Sequence, residues 1–284
     1  MAAKRSPRVM ILADGSRPQM KEAVDRLRPT IEQHLTVTEV SLDFSSDLSK
    51  CEADIAIVLG GDGSILRAAH QMGYRQKPVL GVNLGKLGFL AALQPEQLAG
   101  VLPEIAAGQH RVVEHLMFEC TATRGGKPLC QALGLNETAV LAGPPFSMID
   151  VELHVDGELA TTYSCDGLIV STPVGSTAHG LSVGGPILRG NLQAFVIVPI
   201  SPHTLTHRPV VDSADRTIEL AVPQPNEGTS LVVDGRVLCK LESGDRVKIV
   251  RSQATFQLVE VSGQAYYRTL HEKLGWGGQL NLGG

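Results

Sequence analysis

Residues 57 to 66 read IVLGGDGSIL, and this stretch decides how the first part of the chain is organised. An apolar run over 55–59 ends at two glycines, a single acid follows at Asp62, and a helical pattern begins near Ser64. A strand that is apolar at every position is typical of the centre of a parallel sheet, because such a strand is buried on both faces. The stretch therefore predicts a buried strand, a bare glycine turn and a helix, with one carboxylate at the junction.

The segments on either side of this stretch alternate between strand and helix patterns. Strand-like runs lie at 8–14, 36–42 and 77–85, and apolar residues at helical spacing lie at 16–34 and 94–108. This alternation predicts a doubly wound parallel sheet. Because ligands of such sheets bind beyond the carboxyl ends of the strands, the glycine turn lies where a ligand is expected.

Beyond about residue 110 the helical periodicity gives way to short strand-like runs, and HVDGEL and VVDGRV each place Asp-Gly between two of them, as in a hairpin. We therefore predict a two-domain α+β chain. Its N-terminal domain, residues 1–112, is α/β and Rossmann-like with a parallel sheet, and its C-terminal domain, residues 113–262, is mostly β and sandwich-like. A helical tail over 263–284 is expected to pack back on the N-terminal domain.

Composition narrows the class of protein. Hydrophobic residues make up 43% and charged residues 19% of the chain, and the net charge is −4, which describes a globular protein rather than a nucleic-acid binder. No run approaches the roughly 18 apolar residues of a membrane span. The five scattered cysteines contain no Cys-x-x-Cys pair. Reduced thiols, a cytoplasmic location and no zinc site are therefore predicted.

The glycine turn suits a phosphate. Gly60, Gly61 and Gly63 let the backbone approach a ligand closely, and exposed amides beside a helix N-terminus form an anion cradle. The Asp62 carboxylate would repel a phosphate, so contact with one is not its role. It suits a base or a metal ligand near the transferred phosphate. The alternative is an N-cap for the helix beginning near Ser64.

Further glycine-rich and polar motifs follow in a fixed order: GVNLGKLGFL (81–90), LNETAV (135–140), SCDGLIVSTPVGSTAHGLSVGGPI (164–187), ISPHTLTHRPVV and YYRTLHEKLGW. With GGDGSIL, they make nearly the whole chain resemble the NAD kinase family. These enzymes phosphorylate the 2′-hydroxyl of the adenosine ribose of NAD to make NADP. The Gly-Gly-Asp-Gly motif is shared with diacylglycerol, sphingosine and 6-phosphofructokinase relatives, whereas the long Ser/Thr/Gly stretch is specific to this family.

The resemblance implies roles for three of the acids. Asp62 would be the general base for the ribose hydroxyl, an effect worth roughly 10²- to 10⁴-fold in rate. Glu137, together with Asn136, would hold the adenine and ribose of NAD, and the alternative is a hydrogen-bonded turn. Asp166 would contact the nicotinamide portion or its ribose, and the alternative is a hairpin turn. The donor would be ATP, or polyphosphate, with Mg²⁺.

The resemblance gives the NAD-binding positions as Asp62, Gly63, Arg67, Asn136, Glu137, Ser147, Ser164, Asp166, Thr177, Ala178, His179, Ser182 and Arg236. Arg67 either reaches a phosphate or is an exposed helix arginine. His179 stands where the family commonly has Tyr, and Val174 where Thr is usual. His203 and His207 are predicted to be structural, because a metal pair four residues apart needs a helix and Pro202 argues against one. No metal site built from protein side chains is predicted.

The sequence is also compatible with two alternative functions. One is a related lipid or sugar kinase, and the other is a catalytically weak NAD(P)-binding sensor that kept the pocket. The resemblance also implies a homodimer or homotetramer, because the family assembles through its β domains and pockets are often completed by a neighbouring subunit. No nucleic-acid or membrane partner is expected.

Overall fold

The computed structural model describes residues 6–44, 46–85, 88–144, 148–204, 206–261 and 266–275. The chain forms two compact units, one from Met1–Val113 and Gln257–Gly284 and the other from Glu114–Phe256. The second unit ends before the predicted boundary at 262, because Leu258 in the last strand pairs with Val79 of the first unit.

The first unit is an α/β domain, as predicted. Its strands pair in parallel in the order β2-β1-β3-β4. The elements are β1 (Arg8–Ala13), α1 (Pro18–Glu32), β2 (Thr36–Ser41), β3 (Ile55–Leu59), α2 (Asp62–Met72), β4 (Val79–Val82) and α3 (Pro95–Ala106).

Strand β3 is buried on both faces, which explains its continuous apolar sequence. All five of its residues are at most 3% exposed. Ile57 belongs to a core cluster that includes Leu27 of α1 and Leu102 of α3. Helix α2 contacts β3 and β4 and buries Ile65. Covering both faces leaves the carboxyl ends of the strands as the accessible edge.

Helix α2 begins at Asp62, earlier than the predicted start near Ser64. Its N-cap is Gly61, and no side chain caps the helix. The hypothesis that Asp62 is the N-cap is therefore wrong. The physical reason is that the carboxylate accepts hydrogen bonds from a loop distant in sequence instead of from the first turn of α2. The helix ends at Met72, and its C-cap is Gly73 with φ 54°, a value that glycine adopts readily.

The second unit is built on strands. The remaining elements of the chain are β5 (Arg111–Arg124), β6 (Lys127–Gly134), β7 (Glu137–Leu141), β8 (Ile149–Val155), β9 (Glu158–Cys165), β10 (Gly167–Ser171), α4 (His179–Ser182), β11 (Ala194–Ile200), β12 (Val210–Ser213), β13 (Ile218–Ala221), β14 (Ser230–Val233), β15 (Arg236–Lys240), β16 (Arg246–Glu260) and, in the first unit, α5 (Tyr266–Leu274).

The second unit is a two-sheet sandwich, which confirms the predicted class. One antiparallel sheet has the order β12-β11-β10-β7-β14-β15, and β16, β13, β8 and β9 pair in the other. Phe118 of β5 and Phe195 of β11 are fully buried in one core cluster that draws residues from both sheets. The two predicted Asp-Gly hairpins join β8 to β9 and β14 to β15, with φ 52° at Asp156 and 47° at Asp234. Within the described residues, no helix has the length and apolarity that crossing a membrane requires.

Candidate active site

A cavity of about 260 Å³ lies beyond the carboxyl ends of β1 and β3. The glycine turn forms one side of it, and the segment after β1 forms another. Its lining consists of Asp14, Arg17, Met20, Gly60, Gly61, Gly63, Ser64 and Arg67. The predicted phosphate loop, which consists of Gly60, Gly61 and Gly63, therefore lines a cavity at the edge of the sheet where a ligand is expected.

Two arginines and one aspartate give this cavity its charge. Arg67 Nη1 lies 3.4 Å from Asp14 Oδ2, and Arg17 Nε lies 3.9 Å from the same oxygen. The hydrogen bond from the Ser16 hydroxyl and the two nearby arginines hold the pKa of Asp14 below its ordinary value. Arg67 therefore lies on the cavity wall, and it is also an exposed arginine of helix α2, with 49% of its side chain accessible. The sequence analysis missed Asp14 and Arg17, although their place just after β1 was a usable signal.

The Asp62 carboxylate lies outside the cavity lining and is held by the loop at residues 89–91. Its Oδ1 accepts the N–H groups of Leu90 (3.0 Å) and Ala91 (2.9 Å), and its Oδ2 accepts that of Phe89 (2.8 Å). Each carboxylate oxygen has two lone pairs, so Oδ2 keeps one that no described amide uses. The Asp62 side chain as a whole is 34% exposed.

In the second unit, Asn136 and Glu137 form the turn into β7, and Asp234 fixes that turn. The Asp234 carboxylate accepts the N–H groups of Leu135 (2.8 Å), Asn136 (2.8 Å) and Glu137 (3.0 Å). The sequence analysis read Asp234 only as a hairpin residue. Its second role depends on a contact across 97 to 99 positions of sequence, which no local pattern discloses.

Glu137 is a buried carboxyl group. It is 8% exposed, and among the described residues its Oε2 has no hydrogen-bond partner. Burial and the nearby charge of Asp234 raise the pKa of Glu137 from 4.5 to about 7, while a hydrogen bond from the backbone N–H of His179 acts in the opposite direction. A carboxyl group that is half protonated near neutral pH can either donate or accept a hydrogen bond.

Residues 175–178, which we call the Gly-Ser-Thr-Ala segment, belong to the long Ser/Thr/Gly stretch. This segment folds against the turn formed by Asn136 and Glu137. A 3₁₀ turn at Gly175–Thr177 precedes α4, and the Thr172 hydroxyl donates to the Leu135 carbonyl (2.6 Å). The His179 backbone reaches Glu137. Gly175 permits this approach, because a Cβ added there would lie 2.1 Å from the Asn136 carbonyl oxygen. The structure thus brings together six of the predicted positions: Asn136, Glu137, Thr177, Ala178, His179 and Ser182.

The variant Gly175→Ala is expected to lower the free energy of unfolding by about 1–3 kcal/mol, because its Cβ would overlap backbone atoms that have little room to move. Denaturant titration measures this loss. Gly180→Ala is the matched control, since its Cβ would meet only an ordinary contact of 3.9 Å with the Gly175 carbonyl oxygen. Equal destabilisation of the two variants would contradict the close approach at Gly175.

Ser164 and Asp166 lie away from Glu137. In the antiparallel pair of β7 and β10, Ser171 is opposite Glu137 and Gly167 is opposite Leu141. Asp166 is therefore separated from Glu137 by five positions, or roughly 17 Å, along the strands. Asp166 is exposed and connects β9, in one sheet, to β10, in the other. A hairpin joins two paired strands of one sheet, so the hairpin alternative for Asp166 is wrong.

Three further predicted positions are Ser164, Arg236 and Ser147. The Ser164 hydroxyl donates to Asp150 on the neighbouring strand β8. Arg236 is exposed at the start of β15, next to the Asp234 hairpin. Ser147 lies outside the described residues. Elsewhere, His207 packs edge-on against the Tyr163 ring at 4.7 Å in a segment that is not helical, as a structural role requires.

Comparisons with known proteins agree with this geometry. The family model for the ATP-NAD kinase N-terminal domain matches residues 4–110, and the model for the ATP-NAD kinase C-terminal domain matches residues 135–261. The NAD kinase of Rhodopirellula baltica is 55% identical over 278 residues, which cover 98% of this chain and 89% of that protein. The NAD kinase of Geotalea daltonii is 39% identical over 254 residues, covering 88% and 89%.

Two solved structures share the fold. The crystal structure of yeast NADH kinase complexed with NADH aligns with a TM-score of 0.86 at 21% identity, covering 98% of this chain and 91% of that one. The NAD kinase from Archaeoglobus fulgidus in complex with ATP aligns with a TM-score of 0.72 at 28% identity, covering 94% and 97%. With two family models and whole-chain relatives in agreement, the chain belongs to the NAD kinase family and is an enzyme of that class.

Proposed function

We propose that this chain transfers the γ-phosphoryl group of ATP to the 2′-hydroxyl of the adenosine ribose of NAD, with Asp62 as the general base. The observation that carries the proposal is the arrangement around the glycine turn. A cavity lined by Gly60, Gly61 and Gly63 lies on one side of it. Within the same turn, Asp62 Oδ2 accepts one described backbone amide, and the Asp62 side chain is 34% exposed.

The chemistry follows from these two groups. The O–H bond of the ribose hydroxyl breaks and its proton passes to Asp62 Oδ2, while the oxygen's electron pair forms the new bond to the γ-phosphorus. The bond from the γ-phosphorus to the β–γ bridging oxygen breaks at the same centre, and ADP leaves. The amides of the glycine turn, with Arg17 and Arg67, would bear the charge of the phosphates.

Magnesium enters this reaction with ATP, as part of the substrate. The cavity lining fits such a complex, because Asp14 offers a carboxylate and Ser64 a hydroxyl, and hard cations prefer oxygen ligands. When bound, Mg²⁺ neutralises phosphate charge. Polyphosphate is the second donor to test.

One assay separates this function from its alternatives. The protein is mixed with NAD, ATP and Mg²⁺, and NADP is followed with an NADP-specific dehydrogenase. We expect NADP to accumulate. NAD binding without NADP formation would favour the catalytically weak sensor. The lipid or sugar kinase is not favoured, because the whole-length relatives are NAD kinases.

In the phosphate loop, one substitution is expected to raise KM for ATP without lowering the melting temperature. A Cβ added at Gly63 meets no described protein atom within 4 Å, and Gly63 lies in the first turn of α2, where alanine is the better helix former. Gly63→Ala is therefore expected to keep or raise the melting temperature. Because the same Cβ would enter the space of a phosphate, we expect KM for ATP to rise about tenfold or more.

A suitable control for Gly63→Ala is Gly100→Ala, a helical glycine of α3 at which a Cβ likewise meets nothing within 4 Å. Thermal unfolding and initial rates at varied ATP concentration measure both properties. Wild-type KM for ATP in Gly63→Ala would remove this glycine from the phosphate site.

We propose that Asn136 and Glu137 hold the adenine and ribose of NAD, with Thr177, Ala178, His179 and Ser182 beside them. The unpartnered Glu137 Oε2 supports this, because a buried oxygen without a partner is satisfied when a ligand hydroxyl or amine bonds it. His179 is exposed on α4 and is available to stack on a base.

We further propose that the protein works as a homodimer or homotetramer. Asp166 lies at the end of β7 and β10 opposite to Glu137, and Ser164 lies two positions before it on β9, so both would serve NAD bound to a neighbouring subunit. Light scattering at micromolar concentration is expected to give a multiple of 30.2 kDa. A mass near one chain would contradict the proposal. A cytoplasmic location stays a prediction.

A further inference from the structure

The two oxygens of the Asp62 carboxylate have different surroundings. Oδ1 accepts two backbone amides, whereas Oδ2 accepts the N–H of Phe89 and faces Lys273, whose Nζ lies 3.8 Å away. Lys273 comes from the C-terminal helix α5, which belongs to the same unit as Asp62. The oxygen proposed to take the proton of the substrate hydroxyl is thus also the oxygen that faces a cation.

The Lys273 ammonium is fixed by a second contact. It lies 4.3 Å from the centroid of the Phe89 ring, a distance at which the ring face attracts a cation. Phe89 therefore touches both partners, because its backbone N–H bonds Oδ2 and its ring holds the ammonium. The Lys273 side chain is 27% exposed and that of Asp62 34%, so solvent screens the pair only in part.

We propose that Lys273 is a positioning residue for the reaction: its ammonium, held over Phe89, orients Asp62 Oδ2 toward the ribose hydroxyl. This inference rests on the proposed role of Asp62 as the base. A carboxylate with a fixed rotamer receives the proton along one direction, and misplacement by a fraction of an ångström slows transfer. The C-terminal helix thereby becomes part of the catalytic machinery, although it lies far along the chain from the glycine turn.

The positive charge of Lys273 also affects the proton transfer itself. When Oδ2 takes the proton from the hydroxyl, the carboxylate loses its negative charge and Lys273 keeps its positive one. The attraction between Lys273 and the Asp62 carboxylate is lost at that point, so the ammonium opposes protonation of Oδ2 and does not assist it. Lys273 therefore contributes to the reaction by positioning the carboxylate, and it gives up no proton in the step.

The variant Lys273→Met keeps the length of the side chain and its packing on Phe89 but removes the charge. We expect kcat to fall about tenfold, while KM for NAD and for ATP stays within about twofold. Lys273→Arg restores the cation and is expected to return kcat to within about threefold of wild type. Arg268→Gln removes a positive charge from an exposed position of the same helix and is the matched control, with wild-type kinetics expected.

A double variant tests whether Lys273 acts through Asp62. In the Asp62→Asn background, Lys273→Met is expected to change kcat by less than about twofold, because there is no longer a base to orient. A further tenfold loss there, or wild-type kcat in Lys273→Met alone, would overturn the inference and leave the role of Asp62 intact. Wild-type kcat in Asp62→Asn alone would instead overturn the base assignment, and this inference with it. Melting temperatures of all variants establish that each is folded.

Discussion

Replacing Asp62 by Asn is expected to lower kcat at least 10²-fold while NAD binding stays within a few-fold. The substitution removes the group that takes the proton from the ribose hydroxyl and leaves the proposed nucleotide contacts of Asn136 and Glu137 in place. Steady-state rates of NADP formation and a direct binding titration with NAD measure the two quantities. Equal turnover in the variant and the wild type would remove Asp62 from this role.

The structure adds a second effect of the same variant. Asn can still accept the amides of Leu90 and Ala91 on one oxygen, but its NH₂ group opposes the Phe89 N–H, so one hydrogen bond is lost. A loss of about 1–3 kcal/mol in the free energy of unfolding is expected. The loss of the base has its own signature: the residual rate should keep rising with pH, because hydroxide replaces the carboxylate as the proton acceptor.

Replacing Glu137 by Gln is expected to stabilise the protein at neutral pH but not in acid. The folded-state pKa of Glu137 is raised from 4.5 to about 7, so the folded protein binds the proton more tightly than the unfolded chain. The stability linked to that proton is fully present below pH 4.5 and is lost as the pH rises to about 7. This shift corresponds to about 3 kcal/mol, which the neutral amide does not lose.

The measurement compares urea unfolding of the wild type and Glu137→Gln between pH 4.5 and 8. The difference in stability should grow in favour of the variant up to about pH 7 and then level off. Glu158→Gln, which removes an exposed carboxylate from the same unit, is the matched control. A difference that does not change over this range would show that Glu137 is not buried in the folded protein.

Local patterns predicted much of the fold. The apolar run of β3, the helical spacing of α1 and the two Asp-Gly hairpins each depend on residues close in sequence, and each lies where the pattern indicated. The predicted start of α2 near Ser64 was wrong, and so was the hypothesis that Asp62 is its N-cap. Both considered only the turn that follows Asp62. The carboxylate instead bonds a loop 27 to 29 positions away.

The residues of the candidate site also fall into two groups: those that local sequence patterns indicate and those that they do not. Asp62, Glu137 and the Gly-Ser-Thr-Ala segment were named from motifs, because glycines and paired polar residues in apolar surroundings are local signals. Asp14 and Arg17 could have been suspected from their place after β1. Lys273 could not, because nothing near it in sequence indicates that it faces a carboxylate.

The sequence by itself determined the kinds of secondary structure, their order and the family, because periodicity, turn residues and motif order are properties of neighbouring residues. Only the tertiary structure decided which atoms meet: Asp234 beneath the Asn136-Glu137 turn, and Lys273 and Phe89 around Asp62 Oδ2. The physical reason is that a hydrogen bond or an ion pair requires its atoms within about 3–4 Å. For residues far apart in sequence, the packing of whole strands and helices sets that distance.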